Sequence, residues 1–304
     1  MGLLWLSTPE RGAVVRTALA QALPDLPFLE DTAPDPLAVT CAVAWTCPPD
    51  LFIRHPNLRL LISVGAGVDQ LDLATIPPHV QVVRMLEPGL PEQMAEYCTL
   101  ATLALHRDLP AYVSQGLAGR WQPRRNRPAA STRVGVMGTG QLGRAVLAAL
   151  APFGFPLAGL SRSGTAPDGV EPFTDLGPFL SRSDILICLL PLTPGTQGIL
   201  NAATFAQLPQ GAALVHAGRG RQLVSGDLLA ALDSGHLSGA MLDVTDPEPL
   251  PSDHALWRHP KVIVTPHIAC QTRAADAARH IARALVAWRT EAEVPGLIDR
   301  RRGY

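Results

Sequence analysis

The run Val134-Gly135-Val136-Met137-Gly138-Thr139-Gly140-Gln141-Leu142-Gly143 decides how the rest of the chain is read. Val134, Val136 and Met137 make a short apolar stretch suited to a buried strand, and Leu142, Val146, Leu147 and Leu150 then fall at helical spacing. Between them, Gly138, Gly140 and Gly143 fit G-x-G-x-x-G. Strand, glycine turn and helix in that order suit a dinucleotide. The first glycine permits the turn, the second lets the backbone approach a pyrophosphate, and the third lets helix and strand pack closely. The pyrophosphate would rest at the helix N-terminus, where unpaired N–H groups and the dipole favour negative charge. The glycine spacing alone also fits a plain turn; the strand before it and the helix after it favour the nucleotide.

Working outward, apolar runs predict further strands over residues 156–160, 185–190, 212–216, 240–244 and 262–265, and a helix over 227–232 that Ser225 caps. Upstream, strands are predicted over 3–6, 39–46, 60–64 and 80–85, with helices over 11–23 and 49–55. A long helix is expected over 91–109, with Met94, Cys98, Ala101 and Leu105 on one face, another over 272–288, and a tail over 294–304. Repeated βα units imply parallel sheets with helices on both faces, an α/β class. The Arg- and Pro-rich stretch 120–128 reads as an exposed arm or interdomain segment.

A length of 304 residues suggests two domains, and 47% hydrophobic with 17% charged residues suits a packed chain. A net charge of −1 gives no electrostatic case for nucleic acid or an anionic membrane, and no apolar run is long enough to span a bilayer. The opening residues lack the basic region of a secretory leader. Cys41, Cys47, Cys98, Cys188 and Cys270 are scattered and odd in number, which opposes a disulfide framework and a zinc site and predicts a cytoplasmic protein without metal. Lys261 is the only lysine and lies in no P-loop or Schiff-base setting.

In doubly wound sheets, ligands bind beyond the carboxyl ends of strands. Arg219, Glu248 and His267 all follow such ends. The trio suits hydride transfer to a 2-keto acid: Arg holds a carboxylate and polarises a carbonyl, His gives the proton, and a carboxylate beside the His favours imidazolium. Each residue alone also fits a structural or solvated role, and spacing does not by itself bring the three together.

Together, Val64-Gly65-Ala66-Gly67-Val68-Asp69, the glycine turn, Arg219-Gly220, Met241-Leu242-Asp243-Val244 with Glu248-Pro249-Leu250, and Pro266-His267 resemble the D-2-hydroxyacid dehydrogenases, in the same order along nearly the whole chain. The stretch 228–235, Thr265-Pro266-His267-Ile268 with Thr272-Arg273, and the closing Asp299-Arg300-Arg301-Arg302-Gly303-Tyr304 are similar to the glyoxylate/hydroxypyruvate reductase A branch. The resemblance implies two doubly wound parallel-sheet domains with an active-site cleft between them. A flavodoxin-like substrate domain would comprise 1–103 and 276–304, and a Rossmann dinucleotide domain 104–275.

It further implies that Arg219 binds the substrate's carboxylate and carbonyl, His267 is the acid/base and Glu248 orients it. The amides of Val64, Gly65, Ala66 and Gly67 would take the carboxylate, with Trp45 and Arg273 in the substrate pocket; Trp45 fits a core position as well. Thr139, Gln141, Leu142, Leu190, Pro191, Ala217 and Gly218 would line the cofactor, and Asp243 would meet the nicotinamide carboxamide. Where the family has Asn three residues before the Arg, this chain has His216.

NAD-specific sites place an acid at the end of the second strand, whereas this chain has Ser161-Arg162-Ser163 there and no acid before Asp168. NADP(H) is therefore expected to be preferred, with NAD(H) possible. Tyr112, Leu117 and Trp121 lie outside a clear core period in a stretch that resembles a subunit-embracing arm, and predict a homodimer. The reading is a cytoplasmic NADPH-preferring reductase of glyoxylate or hydroxypyruvate. The alternatives are an NAD-dependent D-lactate or phosphoglycerate type of dehydrogenase, the latter disfavoured because no regulatory domain follows Tyr304, or a dinucleotide-sensing corepressor-like protein.

Overall fold

Short apolar runs form two parallel sheets. The first contains β1 (Gly2–Leu6), β2 (Phe28–Leu29), β3 (Val39–Ala44), β4 (Leu60–Ser63) and β5 (Gln81–Val83), in the order β2-β1-β3-β4-β5. The second contains β6 (Val134–Met137), β7 (Leu157–Leu160), β8 (Glu171–Phe173), β9 (Ile185–Cys188), β10 (Ala212–His216), β11 (Leu237–Leu242) and β12 (Val262–Val264), in the order β12-β11-β10-β9-β6-β7-β8. The computed structural model describes residues 2–30, 35–87, 89–124 and 126–300; Arg125 of the Arg/Pro stretch and residues 301–304 of the closing motif lie outside the described residues. The first order is flavodoxin-like, and the second is the Rossmann order with one added strand.

The chain divides into Met1–Leu90 with Thr272–Tyr304, and Pro91–Gln271. The expected boundaries were 103/104 and 275/276. The first division falls earlier, after Leu90, because of helix Gly89–His106, whose Met94, Tyr97, Cys98, Ala101 and Leu105 join the core of Val134, Val136 and Val215 in the second sheet, and the second falls after Gln271. Helix Gln141–Leu150 adds Val146, Leu147 and Leu150 to that core. The opposite face carries Met137, Leu186, Cys188 and Leu214, covered by Phe179, Phe205 and Leu228 from other helices. Alternate residues of β9 thus serve opposite faces, as the two-residue period of a strand requires.

The first unit is discontinuous. Helix Ala274–Arg289 buries Ala277, Ala278, Ile281, Ala284 and Leu285 and packs with helix Pro9–Ala22. The chain then returns to β5: Arg84 N–H donates to Gly296 O at 2.9 Å and Ile298 N–H to Val82 O at 3.0 Å.

Three local expectations change. Ser225 does not cap the helix that contains residues 227–232; it is the first helical residue of Ser225–Asp233, behind an extended Val224. Residues 112–117 of the stretch that resembles an arm lie in helix Leu109–Leu117. The edge strands β2 and β8 escape a periodicity search because they hold two and three residues, and β8 carries Pro172, which an edge tolerates.

Candidate active site

The second sheet reverses its order at β6, whose neighbours β7 and β9 lead in opposite directions, and a crevice beyond the carboxyl ends at such a point is where ligands bind. The polar residues singled out above in Pro91–Gln271 follow those ends. After β6, Gly138 adopts φ +101°, and a side chain there would crowd Leu189 O at 3.0 Å. A Cβ on Gly143 would overlap the Gly138 carbonyl, so helix and turn touch through backbone. Gly140 is the helix N-cap, offers no side-chain cap, and has nothing within 4 Å of where its Cβ would lie. A ten-residue helix therefore presents uncapped N–H groups beside open space, which fits a pyrophosphate.

After β7, the expected 2′-phosphate segment is a tight turn. Ser161 Oγ and Thr139 Oγ1 both donate to Thr165 O, at 3.2 and 2.8 Å, and Ser163 Oγ lies 2.8 Å from Thr165 Oγ1. The serines are engaged within the turn, which leaves the exposed Arg162 as its cation. Thr139 ties this turn to the glycine turn, a role the spacing could not show.

After β10, Ala217 and Gly218 lead to Arg219. Its N–H donates to Gln222 Oε1 at 2.9 Å, and its Nη1 to Gly218 O at 2.8 Å. Gln222 Nε2 donates to Leu190 O at 3.0 Å and to Pro191 O at 3.1 Å, and so links the turns after β9 and β10. His216 is fully buried, and its Nε2–H donates to Arg219 O at 3.0 Å. His216 thus clamps the Arg219 backbone. A Cβ on Gly220 would overlap Thr245 O, so the Arg219 turn lies directly against the turn that carries Glu248.

Glu248 divides its oxygens: Oε1 accepts Thr245 N–H at 3.0 Å and Oε2 accepts His267 Nδ1–H at 2.8 Å. A carboxylate can only accept, so Nδ1 carries the proton and Nε2 is the ring atom left for chemistry. His267 itself has φ +53°, a left-handed conformation uncommon for a residue with a side chain. Its N–H donates to Asp243 O at 2.9 Å and to Thr265 O at 3.0 Å. The Asp243 carboxylate, only 2% exposed, accepts Thr265 Oγ1–H at 2.7 Å, Ile268 N–H at 2.9 Å and Ala269 N–H at 2.8 Å. The resemblance implies an Asp243 that meets the nicotinamide carboxamide; in the structure most of its capacity goes to the His267 loop.

Among the residues of the first unit, the buried Ser63 braces the glycine loop, and its Oγ accepts Gly65 N–H at 3.1 Å. Val64 N–H donates to Ala44 O at 3.1 Å. The expected set of four carboxylate-binding amides is thereby reduced, since Val64 and Gly65 are committed and Ala66 and Gly67 are left. Trp45 is not in the core: it is half exposed, and a Cβ on Gly65 would meet its ring at 2.8 Å. Arg273 is the N-cap of helix Ala274–Arg289 and is exposed. Among the described residues no cluster could hold a metal, no helix is long and apolar enough to cross a membrane, and all five cysteines are thiols.

The model of the D-isomer specific 2-hydroxyacid dehydrogenase NAD-binding domain matches residues 99–269. A D-isomer specific 2-hydroxyacid dehydrogenase from Xanthobacter autotrophicus Py2, solved with NADPH and MES, is 38% identical over 100% of this chain and 99% of that one, with a TM-score of 0.93. An NADPH-dependent glyoxylate/hydroxypyruvate reductase from Sinorhizobium meliloti, solved with NADP and sulfate, is 35% identical over 100% and 99%, with a TM-score of 0.90. A probable 2-hydroxyacid dehydrogenase from Rhizobium etli CFN 42, solved with NADP, HEPES and L(+)-tartaric acid, is 32% identical over 100% and 99%, with a TM-score of 0.91.

Burial pushes the His216 imidazole down to about 4, so it is neutral in the fold at pH 7. An unfolded chain takes up that proton near pH 6.5, well before the folded chain does. Stability should therefore fall as pH drops from about 6.5 to about 4, by about 3 kcal/mol from this residue. Urea unfolding across that range should give a shallower decline for His216→Asn than for the native protein.

Proposed function

Because the chain belongs to the D-isomer specific 2-hydroxyacid dehydrogenase family, we propose that it reduces small 2-keto acids, glyoxylate or hydroxypyruvate, to 2-hydroxy acids of the D series with NADPH. The family makes it an NAD(P)-dependent oxidoreductase. The substrate follows the full-length similarity to the reductase from Sinorhizobium meliloti. The NADPH-bound and NADP-bound relatives and the Arg162 turn support the cofactor, with NAD(H) as the weaker alternative. Five thiols suit a reducing cytoplasm.

The observation that carries the proposal is the Glu248–His267 pair at 2.8 Å, set on the turns beyond β11 and β12. The Gly138–Gly143 turn would hold the pyrophosphate of a reduced dinucleotide, whose nicotinamide would supply the hydride for the keto carbon. Arg219 binds the substrate's carboxylate and polarises its carbonyl through charge-assisted bonds. Nε2 of His267 gives its proton to the carbonyl oxygen as negative charge develops there, and Glu248 stabilises the imidazolium that gives it. The amides of Ala66 and Gly67, with Trp45 and Arg273, are assigned to substrate recognition. Asp243 has one oxygen with a single donor, room for a carboxamide N–H.

We also propose a homodimer. Val113 and Leu117 share one stripe of helix Leu109–Leu117, with Leu117 88% and Trp121 99% exposed. An apolar stripe of this kind with Tyr112 beside it has the composition of a subunit interface.

Replacement of His267 by Asn should lower kcat by about 10² to 10⁴ while NADPH affinity changes less than about tenfold. Unchanged turnover with glyoxylate and hydroxypyruvate would remove the mechanism. NADPH should exceed NADH in kcat/KM by at least about tenfold, and Arg162→Ala should erode that ratio mainly through the KM for NADPH. An enzyme that used NADH equally well would remove the phosphate assignment. Light scattering at micromolar concentration should return twice the chain mass, and Leu117→Glu with Trp121→Glu should return the chain mass itself.

A further inference from the structure

We propose that Tyr97 is a positioning residue for the proton donor: through Thr265 and Asp243 it fixes the backbone of the His267 loop, an inference that rests on His267 being the acid of the reaction. Tyr97 lies on helix Gly89–His106, 8% exposed among Met94, Cys98 and Ala101. An apolar core would be served equally well by Phe, so the hydroxyl needs its own account. Its oxygen lies 2.7 Å from Thr265 Oγ1.

The direction of that bond follows from counting protons. Thr265 has one hydroxyl proton, and it goes to Asp243 Oδ1 at 2.7 Å, an oxygen that can only accept. Thr265 must therefore accept from Tyr97. Burial and the charge of Asp243 push the Tyr97 phenol above its ordinary range and keep it a donor, although its bond to Thr265 acts the other way. The relay runs Tyr97 to Thr265 to Asp243, and each bond polarises the next.

Asp243 is where the relay meets the catalytic loop. Its carboxylate takes Ile268 N–H and Ala269 N–H, and its backbone oxygen takes His267 N–H. Together these bonds over-determine a left-handed His267, a conformation that persists only when its surroundings impose it. A loosened relay lets the loop relax, and Nε2 then spends less time where it can give its proton. The keto acid and the cofactor touch none of Tyr97's atoms in this scheme, so the loss falls on the proton-transfer step and not on binding.

The test compares Tyr97→Phe, Thr265→Val, Thr265→Ser and His267→Asn in the full-length enzyme, by kcat, KM, the solvent isotope effect on kcat and the NADPH dissociation constant. Tyr97→Phe should lower kcat about tenfold, the rate equivalent of one ordinary hydrogen bond, with KM and NADPH affinity within about twofold. Its solvent isotope effect should rise, because proton transfer becomes more rate-limiting. Thr265→Val should be at least as slow, Thr265→Ser should recover most of that loss, and Tyr97→Phe added to Thr265→Val should cost little more. Native kcat and isotope effect in Tyr97→Phe, beside a slow His267→Asn, overturn the relay alone; so does additivity of the two changes. Native turnover in His267→Asn overturns the reading on which the relay rests.

Discussion

Burying a carboxylate is unfavourable unless donors surround it, and Asp243 meets that demand with groups from a single loop. Thr265, Ile268 and Ala269 supply the donors to its side chain, and His267 supplies one to its backbone oxygen. The electrostatic requirement of one side chain at the end of β11 therefore dictates the path of the chain after β12. The position of the imidazole follows from that path, and Glu248 then selects the tautomer. Satisfaction of a buried charge and construction of a proton donor are one arrangement here.

Backbone contact carries the rest of the organisation. At Gly143 the helix lies on the Gly138 carbonyl, and at Gly220 the Arg219 turn lies on the Thr245 carbonyl. A side chain at either place would separate two turns that have to act together. His216 and Gln222 hold Arg219 by its own carbonyl and amide, which leaves the guanidinium to bond elsewhere while its root stays fixed. Burial holds that histidine as the neutral ring, although its bond to the Arg219 carbonyl acts the other way.

Much of this was legible in the sequence, for physical reasons. β6, β9 and β10 announce themselves because strands buried on both faces are apolar throughout, and the glycine turn because its spacing reflects steric necessity. Arg219, Glu248 and His267 were legible as types at strand ends. The bonds that support the site from outside that trio were not: Tyr97 and Thr265 stand 168 positions apart, and nothing in a tyrosine on an apolar helix face marks its hydroxyl as engaged. Helix Leu109–Leu117 was missed for the opposite reason, since Leu109, Val113 and Leu117 keep helical spacing but lie exposed, and a search for a buried face passes over them. The engaged amides of Val64 and Gly65 depend on Ser63 and Ala44, partners that a motif does not include.

The discontinuity of the first unit has a consequence for biosynthesis. Pro91–Gln271 is one uninterrupted stretch and can fold as soon as it has emerged from the ribosome. The strands β1 to β5 emerge before it, yet they must wait through its entire synthesis for helix Ala274–Arg289 and the segment that pairs with β5. During that interval the nascent chain exposes an apolar sheet surface and an open strand edge, the features that recruit unwanted neighbours. Of the two units, the one that begins to emerge first is thus completed last, and dependence on chaperones should be concentrated there.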